Sequence, residues 1–451
     1  MQPYFLSYCY AVMINNVLTG NCCNIMPTKD KKRGSRALAP DILSNLPDNI
    51  IDAIVMRLPL RDAVRTSVLS KMWRYNWCRL PVWTIDQALW DMTNNAISPT
   101  TRFTNIIYHL LTLHVGPISK FTLSIATLGN CPKIDNLIYF LSRNGIQHLV
   151  LQFPRGNLYK LPSSFFTCSQ ISHLSLQNCL IMFPPAFKGF EKLVSLELCD
   201  VTIPSKFIGS LISCCPLLEH LVLHSTISNH IQIRAPKLRS FDFTGKLIFL
   251  SLEDVPLLEK LSLVDTGYSG KAGKCGIAKF LESFPALKHL HLDYFSVRFF
   301  AGEVTKQLPF ALNSLKRLHL SEFSLDELDV ASCALYLIKS FPFLQEIEIE
   351  VYDDWVEPAG GDVTSEILEK VKSLSNVTLN HLRVVEFAGI TGTDPEMQLI
   401  KLLLAKSPKL ARMLIKPGVG DDTPKSRIEV LAEITQFRRA SPRAEVVYKL
   451  A

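Results

Sequence analysis

Residues 46–83 run LPDNIIDAIVMRLPLRDAVRTSVLSKMWRYNWCRLPVW, and the fold of that stretch decides how the rest is understood. Leu46-Pro47 opens it, since proline suits the first helical position, where its missing N–H has no partner to lose. Asp48 follows in the first turn, a negative charge against the positive end of the helix dipole. Ile50, Ile51, Ile54, Val55 and Leu58 recur at helical spacing and predict one apolar stripe. Pro59 ends that helix and starts another, continued by Leu60, Ala63, Val64 and Val68. Ser70 suits the N-cap of a third short helix carrying Trp73 and Trp77. So small a unit, apolar on more than one side, buries a limited fraction of its surface. The surplus has to meet the rest of the chain or a partner.

The stretch resembles a plant F-box, on the words LPDNIIDAIVMRLPLRDAVRTSVLSK and W-R-Y-x-W. An F-box is a three-helix module that docks on a Skp-type adaptor and so joins a cullin-based ubiquitin ligase. The resemblance implies that Leu46 and Pro47, the stripe Ile50, Ile54 and Leu58, and the turn Pro59-Leu60 carry the adaptor contact, with Val64, Val68 and Leu69 beside them. Met72 stands where the family usually has Lys or Arg, and Asn76 where it often has Lys or Leu. Both lie near the end of the third helix, so a local effect is expected. The plain alternative is a helical cap on the domain that follows.

At 451 residues the chain exceeds one ordinary domain, and with 48% hydrophobic and 20% charged residues it is composed to pack a large core. A net charge of +7 is mild for this length and does not argue for nucleic acid. None of the 12 Cys stands in a C-x-x-C or a Cys/His cluster of zinc spacing. Cys179 and Cys199 sit inside apolar segments, where a free thiol behaves as a small hydrophobe. A reducing compartment, nucleus or cytoplasm, is expected, which makes the sequon Asn376-Val377-Thr378 a chance match. No run reaches the roughly 18–20 apolar residues of a membrane span. Residues 1–25 lack the basic start of a signal peptide, and Met26 precedes the polar PTKDKKRGSR. The expectation is an upstream extension within a flexible segment 1–40, with Lys29–Arg36 a solvated tail rather than an import signal.

From residue 118 a word recurs, apolar-x-x-apolar-x-apolar: ISKFTL (118), IQHLVL (146), ISHLSL (171), LVSLEL (193), LEHLVL (218), LRSFDF (238), LEKLSL (258), LKHLHL (287), LKRLHL (315), LQEIEI (344) and LRVVEF (382). Most intervals fall in the range of about 20–29 residues that marks leucine-rich repeats. Positions four and six alternate inward on a short strand, and position one begins that strand's buried edge. Stacked copies bury one continuous core, each touching only its neighbours. Between the words, KFIGSLISCCPLLEH, GIAKFLESFPALKH and ALYLIKSFPFLQE carry a helical stripe and then a proline, which stops the helix before the next strand. The layout resembles the plant F-box leucine-rich repeat. The stretch VYDDWVEPAGGDVTSE (351–366) is expected to be a long exposed loop.

The C-terminal stretch LRVVEFAGITGTDPEMQLIKLLLAKSPKLARMLIKPGV, with FRRASPRAEVVYKL after it, resembles the FBD motif of many plant F-box proteins. Asp394 is expected to cap a helix starting at Pro395, with Met397, Ile400, Leu403 and Leu404 on its buried face. MLIKP and AEVVYKL are expected strands, and Ile428, Val430, Leu431, Ile434 and Phe437 the stripe of a last helix. The fold class is therefore α/β: an extension at 1–40, a three-helix F-box at 41–83, a helical linker at 84–117, irregular leucine-rich repeats at 118–380 and an FBD-type cap at 381–451.

Catalytic motifs are scarce. G-x-S-x-G and H-E-x-x-H do not occur. GYSGKAGKC (267–275) misses the phosphate-loop spacing and has Cys275 where Ser or Thr belongs. His173, His220 and His289 occupy position three and should face solvent. Position five holds Thr122, Val150, Ser175, Glu197, Val222, Asp242, Ser262, His291, His319, Glu348 and Glu386, a polar mixture that suits protein recognition better than a nucleic-acid groove. No catalytic residue, metal or cofactor is expected. The implied partners are a Skp-type adaptor, through it a cullin, and a target protein held by the repeats. Nucleic acid and membrane are not expected partners. Arg61, Arg65, Lys71, Arg74 and Arg79 leave a helix-turn-helix DNA binder as the less favoured alternative, and an interaction scaffold without adaptor affinity as another.

Overall fold

The computed structural model describes residues 46–90, 98–126, 128, 131, 133–224, 231–247, 250–267, 276–301, 314–325, 327–351, 361–418 and 425–449. The expected N-terminal extension and the loop after Gly267 lie outside these residues. The chain divides into two compact units between Phe207 and Ile208.

In the N-terminal unit the strands β1 (Val82–Asp86), β2 (Lys120–Ser124), β3 (His148–Gln152), β4 (His173–Gln177) and β5 (Ser195–Cys199) each pair in parallel with the next. In the C-terminal unit the same ladder order holds for β6 (His220–His224), β7 (Ser240–Gly245), β8 (Lys260–Asp265), β9 (His289–Asp293), β10 (Arg317–Phe323), β11 (Glu346–Val351), β12 (Val384–Ile390), β13 (Arg412–Pro417) and β14 (Glu445–Tyr448). Parallel neighbours need a return segment of a dozen or more residues. Helices such as Lys133–Arg143, Ile277–Leu281 and Leu328–Ser340 supply it.

Positions one, four and six are buried in all eleven words, from Ile118, Phe121 and Leu123 to Leu382, Val385 and Phe387. Position one differs from expectation in one respect: it precedes the strand, which begins at position three. The reason is a turn just before the strand, found without proline at Ile171, Leu193 and Leu382 and shaped by proline in other words. Cys215-Pro-Leu-Leu218, Val255-Pro-Leu-Leu258, Phe284-Pro-Ala-Leu287 and Phe341-Pro-Phe-Leu344 each close a turn in which the position-one N–H donates to the carbonyl three residues back, at 3.1, 3.2, 3.1 and 3.3 Å. Proline's fixed φ suits the second residue of such a turn. It therefore aims the leucine into the core as well as ending the helix.

Register is set one residue later. The position-two carbonyl accepts the N–H groups of positions two and three of the next word. Gln147 and His148 donate to Ser119 O, both at 2.9 Å, and Lys316 and Arg317 donate to Lys288 O at 2.8 and 3.0 Å. A slip by one residue would turn every buried leucine to solvent.

The ladder starts earlier than the words at 118 imply. Leu80-Pro-Val-Trp83-Thr-Ile85 is itself a copy, with Leu80, Trp83 and Ile85 buried. Ser119 and Lys120 donate to Pro81 O at 2.8 and 3.1 Å, as they would to any position two. Of residues 84–117, expected as a helical linker, the described ones hold the rest of β1 and the helix Pro99–Leu113 capped by Ser98, which accepts from Thr101 N at 3.3 Å. At the other end, β12 to β14 carry the ladder through residues expected as a cap. The helix Asp394–Lys406 is capped by Thr393 rather than Asp394, in a reciprocal capping box with Glu396. Met397, Ile400, Leu403 and Leu404 are buried as expected. The helix Arg427–Thr435 has the same box, Ser426 with Glu429; Val430 and Ile434 face in, whereas Ile428 and Leu431 face out. The segment expected as a loop at 351–366 is instead helical from Gly361, at the start of Gly361–Lys372.

Candidate functional site

The stretch from Leu46 folds as helix α1 (Asp48–Val55), helix α2 (Leu60–Arg65), a 3-10 turn at Thr66–Val68 and a second at Asn76–Arg79. Pro47 and Pro59 sit just before the two helices with nearly the same backbone, φ −55° and ψ 145° or 148°. Each carbonyl takes the first helical N–H groups: Ile50 and Ile51 on Pro47 O, Asp62 and Ala63 on Pro59 O. The expected third helix is absent. Residues 71–75 are turns, and Ser70 Oγ is enclosed without a hydrogen-bond partner, so it caps nothing.

The apolar stripe expected on α1 divides in two. Ile51 and Val55, four residues apart, are buried with Ala63, Trp73, Trp77 and Cys78. Ile50 and Ile54, also four apart, lie about 100° further round the helix at 42% and 37% exposure. Of the other residues assigned to the adaptor contact, Val68 and Leu69 are 53% and 48% exposed, Pro47 and Pro59 are exposed, and Leu46, Leu58 and Val64 are half-buried. Leu60 is a correction. At 3% exposure it is a core residue, on a helix that packs on β1 and on the turn Asn76–Arg79. Met56, Met72 and Tyr75, which the sequence reading left out, add to the exposed apolar surface. Their signal was available only as unpaired apolar residues in a segment taken for a helix.

Polar groups border this surface. Arg61 Nε and Arg65 Nη1 lie 3.2 and 3.5 Å from Asp62 Oδ1, and the Arg61 hydrogen bond is the main influence holding the Asp62 carboxyl below its usual range. Arg79 Nη1 reaches Asp52 Oδ2 at 3.3 Å, tying the last turn back to α1. These pairs engage three of the five cations on which a helix-turn-helix reading rested, and that reading also lacks its second helix.

On the repeats, none of the position-five side chains expected to face outward is buried. Neighbouring strands stack His148 on His173 and His291 on His319, each pair with ring centroids 4.2 Å apart. Charges are matched across strands: Arg239 lies between Glu219 and Glu259, Arg317 between Glu346 and Glu348, and Lys416 beside Glu386. Such a surface is polar, without the aligned cations of a phosphate-binding groove. His291 is held neutral down to pH about 4, chiefly by burial and then by its histidine neighbour.

Comparison with known proteins agrees with this geometry. Residues 43–85 match the F-box domain, a span that runs on into β1. Residues 134–349 match the LRR repeats of an FBD-associated F-box protein. An F-box/FBD/LRR-repeat protein of Arabidopsis thaliana is 32% identical over 419 residues, 91% of this chain and 99% of the relative. A second F-box/FBD/LRR-repeat protein from the same plant is 24% identical over 90% of this chain and 99% of its own length. An FBD-associated F-box protein, also from Arabidopsis thaliana, is 25% identical over 90% and 100%. F-box and leucine-rich-repeat domains are protein-interaction domains, and proteins that join them are typically non-catalytic adaptors. With one relative above 30% identity along almost its whole length, the chain belongs to the plant F-box/FBD/LRR-repeat protein family.

Proposed function

We propose that the chain is the substrate-recognition subunit of an SCF-type, cullin-based ubiquitin ligase. The F-box grips a Skp-type adaptor and through it the cullin, and the outward face of the repeats holds a target protein. The chain breaks and makes no bonds itself. It acts by tethering, which raises the effective concentration of target lysines around the ubiquitin-charged enzyme. One observation carries the reading. The helical module completes a core with Ile51, Val55, Trp73 and Trp77 and still leaves Ile50, Ile54, Val68, Leu69, Met72 and Tyr75 exposed around it. Six exposed large apolar side chains on one small module are what a docking site for a partner needs.

The nucleus or cytoplasm is the proposed location. Eight described cysteines stand outside any disulfide, and burial pushes the thiols of Cys168, Cys179 and Cys333 up to about 12, where they stay protonated and unreactive. Co-purification of adaptor and cullin from plant cells tests the reading. The wild-type chain is expected to bring both down, and Leu46→Ala/Pro47→Ala much less. Absence of both from the wild-type sample leaves a scaffold without adaptor affinity.

A further inference from the structure

We propose that the outward face of the C-terminal unit carries a divalent transition-metal site formed by His319, Glu348 and Glu350. His319 is position five of β10, and Glu348 is its register partner on β11. Glu350 follows two residues on, and so on the same face of that strand. One ligand atom from each of the three lies within 4.8 Å of the others. His319 Nε2 and Glu350 Oε1 are 3.6 Å apart. That is too long for a hydrogen bond, and it is the separation of two ligands on one tetrahedral ion, roughly 3.3–3.6 Å for bonds of about 2.0–2.2 Å.

The second observation is the histidine nitrogen. His319 Nε2 is enclosed by protein, yet it has no hydrogen-bond partner. A buried polar atom in that state needs an explanation, and an ion between it and the two carboxylates provides one. The surroundings prepare the ring for that role. His291 lies flat against His319, at 15° between ring planes. Both nitrogens of His291 are already engaged, by Ser262 Oγ at 2.9 Å and Ser321 Oγ at 2.8 Å. It fixes the ring of His319 without competing for the ion. Arg317 Nη2 donates to Glu348 Oε2 at 2.6 Å, the outer hydrogen bond that orients a ligating carboxylate.

Charge bookkeeping on this face points the same way. Arg317 also reaches Glu346, and Lys416 holds Glu386 at 2.5 Å. Among the described residues Glu350 makes no ion pair with a lysine or arginine. One imidazole with two carboxylates suits zinc, manganese or iron better than calcium or magnesium. Three protein ligands leave a coordination position open to water or to a side chain of a docked protein. The site stands whether or not the chain serves a ligase.

Zinc chloride titrated into the purified full-length chain, with a chromogenic chelator as competitor, tests the site. Binding at this site is expected to weaken about tenfold or more in His319→Ala and in Glu350→Gln, and to be unchanged in His173→Ala, which belongs to the other stacked pair. Circular dichroism checks that each variant is folded. The 12 cysteines are the competing ligands, so cobalt(II) is titrated in parallel. Ligand-field bands lost in His319→Ala, without intense thiolate-to-metal bands, support the site. Equal affinity and stoichiometry in wild type and both variants, or thiolate bands alone, mean an adventitious ion only and overturn it.

Discussion

Ile50 and Ile51 are neighbours with the same side chain and opposite fates. Ile51 is fully buried and Ile50 is 42% exposed. Replacing Ile51 with alanine is expected to destabilise the fold by about 2–5 kcal/mol, as buried isoleucines do. Ile54→Ala should stay within roughly 0.5 kcal/mol, as exposed sites do, and should weaken adaptor capture instead. Urea unfolding of the two variants checks the pair; equal losses would mean that α1 has no outward face. The sequence could not make this division. Apolar residues at 50, 51, 54, 55 and 58 cover too wide an arc for periodicity to say which side meets the core; Leu60, assigned to the adaptor contact by resemblance alone, begins the next helix and is buried. Asp293 shows a second effect at this scale. It is buried, its Oδ1 accepts from Asp265 N at 3.1 Å and Ser296 N at 2.9 Å, and its Oδ2 has no partner. Burial is the main cause that pushes its carboxyl, like that of Asp265, above the ordinary range. A raised acid stabilises the fold below its unfolded pKa and loses that contribution as pH rises through the folded one. The stability of wild type relative to Asp293→Asn should therefore fall between about pH 4 and the raised value, as denaturant unfolding across that range would show. A wild type that gains stability relative to Asp293→Asn as pH rises contradicts the assignment.

At the scale of the element, the strands were the most legible part. A word of period two with three buried positions has one way to face a core, and the hydrogen bonds of position two repeat it from strand to strand. The failures have local causes. The third helix was inferred from Ser70 and two tryptophans, but five turn residues bring Trp73 and Trp77 inward instead. The first strand is hidden in the sequence because Leu80 and Trp83 fall in the span expected as the three-helix module and Ile85 in the expected linker. Thr393 was overlooked as a cap because Asp394 beside it looked equally suitable, and only Glu396 three residues on decides between them. One position on β12 was not readable at all. Gly389 has φ +75°, and a Cβ there would meet Val351 O at 2.2 Å. Gly389→Ala is expected to cost about 1–3 kcal/mol or more. A thermal melt unchanged from wild type would show that the two strands do not approach so closely.

For the molecule as a whole, the helical module is joined to the repeats without a linker. Val115 N donates to Cys78 O at 2.9 Å, Pro81 O anchors β2, and α2 packs on β1. The plain alternative considered from sequence, a cap on the following domain, thus describes the same module as the docking one. A ladder's terminal strand needs cover for its edge and its apolar face. Removing residues 1–79 is therefore expected to lower the melting temperature of the remaining chain and to cause aggregation, as size-exclusion chromatography would show. A monodisperse, equally stable product would mean that the module is an independent appendage. The same union means that the helical module and the first repeats form continuous folded structure within the N-terminal unit.

The central claim is that this module keeps an apolar face for a foreign subunit. Isothermal titration calorimetry with a purified Skp-type adaptor, comparing wild type with Ile54→Asp/Leu69→Asp, tests it most directly. The expected result is saturable binding by wild type and binding at least about a hundredfold weaker in the double variant, roughly 2.7 kcal/mol, with the unfolding curve unchanged. Equal affinity in the two chains, or no binding by wild type, contradicts it.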